Sequence, residues 1–81
     1  MENIGIWIVF QSEYLEIQEE KLANRKTSIY HIWSIKEKCT LGEIKWYAPW
    51  RKYCFYPNND TIWDSKCLSE IINFLNDLKG D

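Results

Sequence analysis

Histidine occurs once in this 81-residue chain (His31), proline twice and glycine three times, and each scarcity closes off a class of function. Gly5, Gly42 and Gly80 stand far apart, so no glycine-rich loop can cradle a phosphate. The three cysteines, Cys39, Cys54 and Cys67, are odd in number and contain no Cys-x-x-Cys pair. That argues against a disulfide framework and against a four-ligand zinc site. They read as reduced thiols serving as small hydrophobes. There is no Ser-His-Asp order and no His-Glu-x-x-His. His31, between Ile29 and Trp33, reads as a satisfied structural histidine rather than a general base. Neither an enzymatic reaction nor a cofactor nor a metal is expected.

Long apolar runs are also missing. The longest, Ile4–Phe10 (IGIWIVF), has only seven residues and no basic segment before it. A membrane-spanning helix needs about 20 apolar residues. The run is read as a strand covered on both faces, and the protein is expected in the cytoplasm without membrane attachment.

Charge is nearly balanced, with 12 acidic against 10 basic residues and a net charge of −2. Binding to duplex nucleic acid through many phosphate contacts is therefore disfavoured for the molecule as a whole. The distribution is less even. Glu13, Glu16, Glu19 and Glu20 cluster early, and Lys45, Arg51 and Lys52 lie later. A solvated mixed surface accounts for this pattern, as would two faces of unlike charge.

What the chain does have is bulk: 46% hydrophobic residues, including five Trp, five Tyr and three Phe. Residues 1–81 make a single small domain, rich enough in apolar side chains to fold. After Ile4–Phe10, Tyr14–Gln18 is a strand candidate, with Glu19–Lys26 as a hairpin loop. A helix over Glu13–Ala23 is the competing reading, since Leu15, Gln18 and Leu22 share helical spacing.

Thr27–Lys36 alternates, with Ile29, His31, Trp33 and Ile35 on one side and Tyr30, Ile32, Ser34 and Lys36 on the other. Glu37–Gly42 turns the chain, Gly42 supplying a positive φ or a bulge. Glu43–Tyr47 is a strand with Ile44 and Trp46 opposed to Lys45 and Tyr47, ended by Ala48-Pro49-Trp50. Arg51–Tyr56 resumes, with Tyr53 and Phe55 opposed to Lys52, Cys54 and Tyr56. Pro57–Asp60 is a turn. Asp64 or Ser65 can cap a helix over Ser65–Leu78, with Gly80 at its end. Its apolar stripe comprises Leu68, Ile71, Ile72, Leu75 and Leu78, flanked by Cys67 and Phe74, while Glu70, Asn73, Asn76 and Asp77 face water. The sum is an α+β fold, an antiparallel meander of four or five strands with one C-terminal helix packed on a face.

The stretch Leu41–Pro57 holds Trp46, Tyr47, Trp50, Tyr53, Phe55 and Tyr56, interleaved with Lys45, Arg51 and Lys52. Aromatic faces stack on bases, and Arg forks hold phosphates, so the candidate ligand-binding residues are Lys45, Tyr47, Trp50, Arg51, Lys52 and Tyr53. Alternation assigns Trp46 and Phe55 to the core. The competing reading makes Trp50 a plug at the sheet end and pairs Arg51 with Glu43 or an indole.

Leu-Gly-x-Ile-Lys-Trp-Tyr over Leu41–Tyr47, Trp-Arg-x-Tyr-x-Phe-x-Pro over Trp50–Pro57, Thr-x-Trp over Thr61–Trp63 and Cys-Leu-x-x-Ile-x-x-Phe-Leu over Cys67–Leu75 together resemble a group of small phage and prophage proteins. The resemblance covers residues 27–78, and the residues before Thr27 lie outside it. It implies a genomic context more than a chemistry and, by analogy, a counter-defence factor in the host cytoplasm. Two partners follow: a nucleotide-like ligand or single-stranded nucleic acid held at the aromatic–Arg corner, or a host protein. The host protein would be inhibited through the same aromatic surface or through the Glu13–Glu20 cluster acting as a nucleic-acid mimic. A homodimer through a strand edge or the aromatic patch is a further expectation.

Overall fold

Strands follow one another in chain order across a single sheet, each pairing antiparallel with the one before it. The computed structural model describes residues 3–78. The strands are β1 (Asn3–Gln11), β2 (Leu15–Leu22), β3 (Ile29–Ser34), β4 (Cys39–Tyr47) and β5 (Lys52–Pro57), in the order β1-β2-β3-β4-β5. Helix α1 (Ser65–Leu78) closes the fold. This is the α+β meander with one C-terminal helix that the sequence pattern predicts. Gly80, assigned to the helix end, lies outside the described residues.

The register shows how side chains divide between the two faces. Ile17 stands opposite Ile32, Tyr30 opposite Ile44, and Ile44 opposite Phe55. These residues, with Leu15, form the face that meets α1, and Ile71 of the helix is buried among them. Ser34 is buried on the same face. Residues one position along each strand, such as Gln18, His31 and Glu43, are paired in the same register and point the opposite way.

Helix α1 starts where its cap is satisfied. Asp64 Oδ1 accepts the Cys67 N–H at 2.9 Å, and the Asp64 carbonyl accepts the Leu68 N–H at 3.0 Å. The Cys67 backbone N–H holds the Asp64 carboxyl below its ordinary range. The buried stripe is rotated from the predicted one. Cys67, Phe74, Leu75 and Leu78 pack on the core around Ile71, whereas Leu68 and Ile72 are exposed. Glu70, expected to face water, turns toward the β1–β2 turn and accepts a 2.7 Å hydrogen bond from Ser12 Oγ. Phe74 sits edge-on to both Phe10 and Tyr30, reaching β1 and β3 from the helix.

Four segment expectations are corrected. Strand β1 is not covered on both faces, because its place at the sheet edge leaves Ile4, Ile6, Trp7, Ile8 and Val9 exposed. Strand β2 runs on through Glu19, Glu20 and Lys21 to Leu22, so neither a loop beginning at Glu19 nor a helix over Glu13–Ala23 is present. Pairing on both sides, to β1 and to β3, outweighs the good helix propensity of its Glu and Lys residues. The β3–β4 turn is tighter than predicted: Lys38 takes the left-handed conformation (φ 57°) and its N–H bonds the Ser34 carbonyl at 2.8 Å. Strand β4 accordingly begins at Cys39, ahead of Glu43.

Gly42 is therefore inside β4 rather than in a turn. It lies on the helix face at a break in the β3–β4 register. Its requirement is space: an added Cβ would stand 2.6 Å from the Tyr56 carbonyl oxygen and 2.9 Å from Pro57 Cα. Both obstacles are backbone, and neither can swing aside. Gly42→Ala is expected to lower stability by about 1–3 kcal/mol, read as a reduced urea midpoint with unchanged m-value.

Candidate functional site

The β4–β5 connection places most of the aromatic–cationic residues. Tyr47 ends β4, a single 3₁₀ turn spans Ala48–Trp50 with Pro49 preset for it, and Arg51 closes it in the left-handed conformation (φ 55°, ψ 49°). The Arg51 N–H bonds the carbonyls of Tyr47 (2.9 Å) and Ala48 (3.0 Å), fixing the corner. A non-glycine residue held at positive φ is over-determined by its surroundings, and such positions concentrate at functional sites. The Arg51 side chain has no hydrogen bond or ion pair among the described residues and is exposed, as is that of Lys52.

Trp50 leans on the open face and not on the core. Its ring meets Tyr47 edge-on at 5.0 Å, and Tyr47 meets Tyr56 at 6.5 Å. Lys45 Nζ lies 4.6 Å over the Tyr56 ring and 3.7 Å from Glu43 Oε1. Trp50 itself is 66% exposed, so it does not plug the sheet end. A row of three rings with Lys45 along it thus ends at Arg51 and Lys52. The row can stack planar groups and contact anionic ones.

Tyr53 stands apart from this row. It lies on the helix face, edge-on to Trp46 at 5.4 Å and to Tyr30 at 5.7 Å, and its hydroxyl accepts the Ser28 N–H at 3.4 Å. Of the six candidate residues, Lys45, Tyr47, Trp50, Arg51 and Lys52 gather at one corner and Tyr53 does not. Phe55 packs against the core and edge-on to Trp63 at 5.0 Å, as expected of a core residue.

Burial has an electrostatic consequence at Tyr30, the partner of Tyr53. Its pKa is pushed up from 10.0 to about 12, first by burial and then by the Glu19 carboxylate. Glu19 accepts 2.6 Å and 3.5 Å hydrogen bonds from Ser28 Oγ and Tyr30 Oη.

The same open face carries a polar line that sequence reasoning did not assemble. His31 Nε2 lies 2.7 Å from Glu20 Oε1; the carboxylate can only accept, so Nε2 carries the proton. His31 Nδ1 is 3.7 Å from Glu43 Oε2, and Glu43 continues to Lys45. Histidine is thus partnered across three strands, as its place on an alternating strand suggested. Beside it a groove of about 430 Å³ is lined by Ile6, Gln18, Glu20, Trp33 and Thr40 as well as His31. The alternation of β3 held the signal for this groove. The polar composition of Glu19–Lys26 obscures it, because it reads as a loop and takes Glu20 off the strand.

The acidic run is divided by the same alternation. Glu16 and Glu20 share the open face, whereas Glu19 turns to Ser28 and Tyr30 on the helix face. Glu13 is exposed in the β1–β2 turn. Among the described residues no group of three or more His, Cys, Asp or Glu side chains is arranged to hold a metal ion. No helix among them is long and apolar enough to cross a membrane.

An uncharacterised 9.3 kDa protein of Acholeplasma phage L2 is 34% identical to this chain over 70 residues, covering 86% of this chain and 90% of that protein. No protein-family model and no solved structure matches.

The separation of Trp50 from Tyr53 can be measured. Trp50→Ala is expected to shift unfolding stability by no more than about 0.5 kcal/mol, and Tyr53→Ala to lower it by about 1–3 kcal/mol, in urea titrations. Tyr30 sets an alkaline limit. The folded state keeps the Tyr30 proton that the unfolded chain releases near pH 10, so stability is full below that range and declines as pH rises through about 12. Tyr30→Phe is expected to flatten that decline in pH-dependent urea midpoints.

Proposed function

Because this chain belongs to a family of small phage proteins, the one that includes the 9.3 kDa protein of Acholeplasma phage L2, we propose that it is a phage-encoded binding protein acting without catalysis of its own. Its binding surface is the β4–β5 corner of the open sheet face, and the ligand is single-stranded nucleic acid or a nucleotide-like molecule. One observation carries this reading: the row of exposed Trp50 and half-buried Tyr47 and Tyr56 runs alongside Lys45 and ends at Arg51 and Lys52, exposed cations with no ion pair among the described residues. Bases stack on such rings without sequence readout, at about 1–3 kcal/mol per base. Arg51 offers a planar fork for phosphate, and the lysines contribute point charges.

Binding at a sheet surface rather than in a deep cleft suits an extended strand. It also suits sequestration, in which the bound molecule is withheld from host machinery. A counter-defence role in the host cytoplasm is part of this reading, and the phage relationship supports its context.

A host protein is the second reading, and the 66% exposure of Trp50 is what favours it. Trp, Tyr and Arg anchor protein interfaces, and a projecting indole fits a partner's pocket. The acidic-mimic form of that reading loses support, since Glu19 faces away from Glu16 and Glu20.

Titration of a fluorescein-labelled deoxythymidine oligonucleotide, followed by anisotropy, separates the two. Trp50→Ala is expected to weaken binding by about 1–3 kcal/mol. Arg51→Ala is expected to reduce the magnitude of the salt slope by about 0.7. Absence of binding by oligonucleotides and mononucleotides at submillimolar concentration contradicts the nucleotide reading. Retention of a host protein by the wild type but not by Trp50→Ala then supports the second.

A further inference from the structure

The two edges of the sheet are built differently. Strand β5 begins at Lys52, directly after Arg51, and ends at Pro57, which has no N–H to offer. Charge and proline are the usual means of keeping an edge from pairing with another chain. Strand β1 has neither: from Ile4 to Phe10 there is no charged residue and no proline. Ile4, Ile6, Trp7, Ile8 and Val9 are between 37% and 62% exposed on it. Exposed apolar side chains thus flank this edge on both faces, Ile6 and Ile8 on the open face and Trp7 on the helix face, and exposed apolar surface of this kind marks an interaction site.

We propose that β1 pairs antiparallel with β1 of a second copy of this chain, joining two five-stranded sheets into one of ten. The occupant is a second copy because the edge is self-complementary in charge and register. It is neutral, so two identical edges meet without repulsion between their own side chains. Two-fold symmetry with matching faces sets Trp7 opposite the other copy's Trp7 and Ile6 opposite its Ile8. In this register Ile6 and Ile8, which share the open face with Glu20 and Gln18, meet only apolar neighbours across the seam.

Glycine supports the same register. A Cβ at Gly5 would come within 3.0 Å of the Trp7 ring, so the bare Gly5 backbone lets the indole lie down along its own strand. The ring then stays close to the sheet and meets its symmetry mate side by side. The two register shifts of β1, between Asn3 and Gly5 and between Ile8 and Phe10, bracket the segment Gly5–Ile8. Regular pairing is centred on that segment, with Ile4 and Val9 packing at its two ends. Covering both patches approaches the roughly 1,200 Å² of the smaller specific interfaces.

The consequence bears on binding. Both open faces lie on one side of the joined sheet, and the two β4–β5 corners sit at its opposite ends. Nine strand intervals separate the outer strands, so the corners stand about 40 Å apart. A single long strand of nucleic acid can then engage both, with the gain in avidity that linkage brings. Dimerisation itself does not depend on the identity of the ligand.

Sedimentation velocity of the full chain without ligand, from micromolar to submillimolar concentration, tests the pairing. The wild type is expected to sediment at twice the 9.8 kDa chain mass. Ile6→Lys and Ile8→Lys are expected to raise the dimer dissociation constant by roughly tenfold or more, with unchanged circular dichroism. Hydrogen exchange of wild-type β1 amides provides a second readout that needs no variant: Gly5–Ile8 amides should exchange more slowly at high protein concentration than at low. A monomer throughout, larger open-ended species, or β1 exchange independent of concentration overturns the proposal. So does a dimer that persists unchanged in a folded Ile6→Lys.

Discussion

A helix of fourteen residues is about 21 Å long and has one apolar stripe to bury. Five strands offer two faces, and one such helix covers one of them. Everything else in the molecule depends on this shortage of cover. The face under α1 takes Leu15, Ile17, Tyr30, Ile32 and Ile44, all buried. The other face is left to water and must be built from side chains that tolerate it. Partnered polar side chains and half-exposed rings meet that requirement: His31 between Glu20 and Glu43, Lys45 over Tyr56, and Tyr47 against Trp50. Strand β1, at the sheet edge, is sheltered mainly at Phe10, which reaches the helix through Phe74.

Local pattern revealed most of this frame. Two-residue alternation in Ile29–Ser34 and Glu43–Tyr47 assigns Tyr30, Ile32, Ile44 and Trp46 to one face, and the register places them there. Alternation also separates Tyr53 and Phe55 from Lys52, Cys54 and Tyr56. Where local pattern failed, the deciding influence was non-local. The apolar run Ile4–Phe10 looks like a doubly covered strand, yet whether a strand is central or at an edge depends on pairing order, which no seven-residue window contains. Likewise Glu19–Leu22 is polar enough to read as loop, and only the strands on both sides make it a strand. In α1 the spacing of Leu68 and Ile72 matches a buried stripe, but with Ile71 buried and Phe74 against Phe10 and Tyr30 those two residues face outward.

The candidate site was legible to the same degree. Residue types marked the Lys45–Tyr53 stretch, and alternation with Pro49 marked its corner. The stretch alone could not show that Tyr53 belongs to the Tyr30–Ser28–Glu19 cluster beneath the helix, because its partners are distant in the chain. Nor could it show that the rings of Tyr47, Trp50 and Tyr56 form a row, since that requires the β4–β5 register. The phage relationship supports the expectation of context, and the half-exposed rings and cations of the open face are what the proposed binding rests on.

The division of labour between the two faces is tested most directly by the five tryptophan indole N–H signals in a two-dimensional ¹⁵N–¹H NMR spectrum, recorded as a deoxythymidine oligonucleotide is added. Trp50 lies on the open corner, whereas Trp46 packs on Tyr53 beneath the sheet and Trp63 packs on Phe55 with its Nε1 donating to Thr61. The expected result is a progressive, saturable shift of the Trp50 signal with Trp46 and Trp63 left in place. Shifts at Trp46 or Trp63 while Trp50 stays fixed would contradict the assignment of binding to the uncovered face.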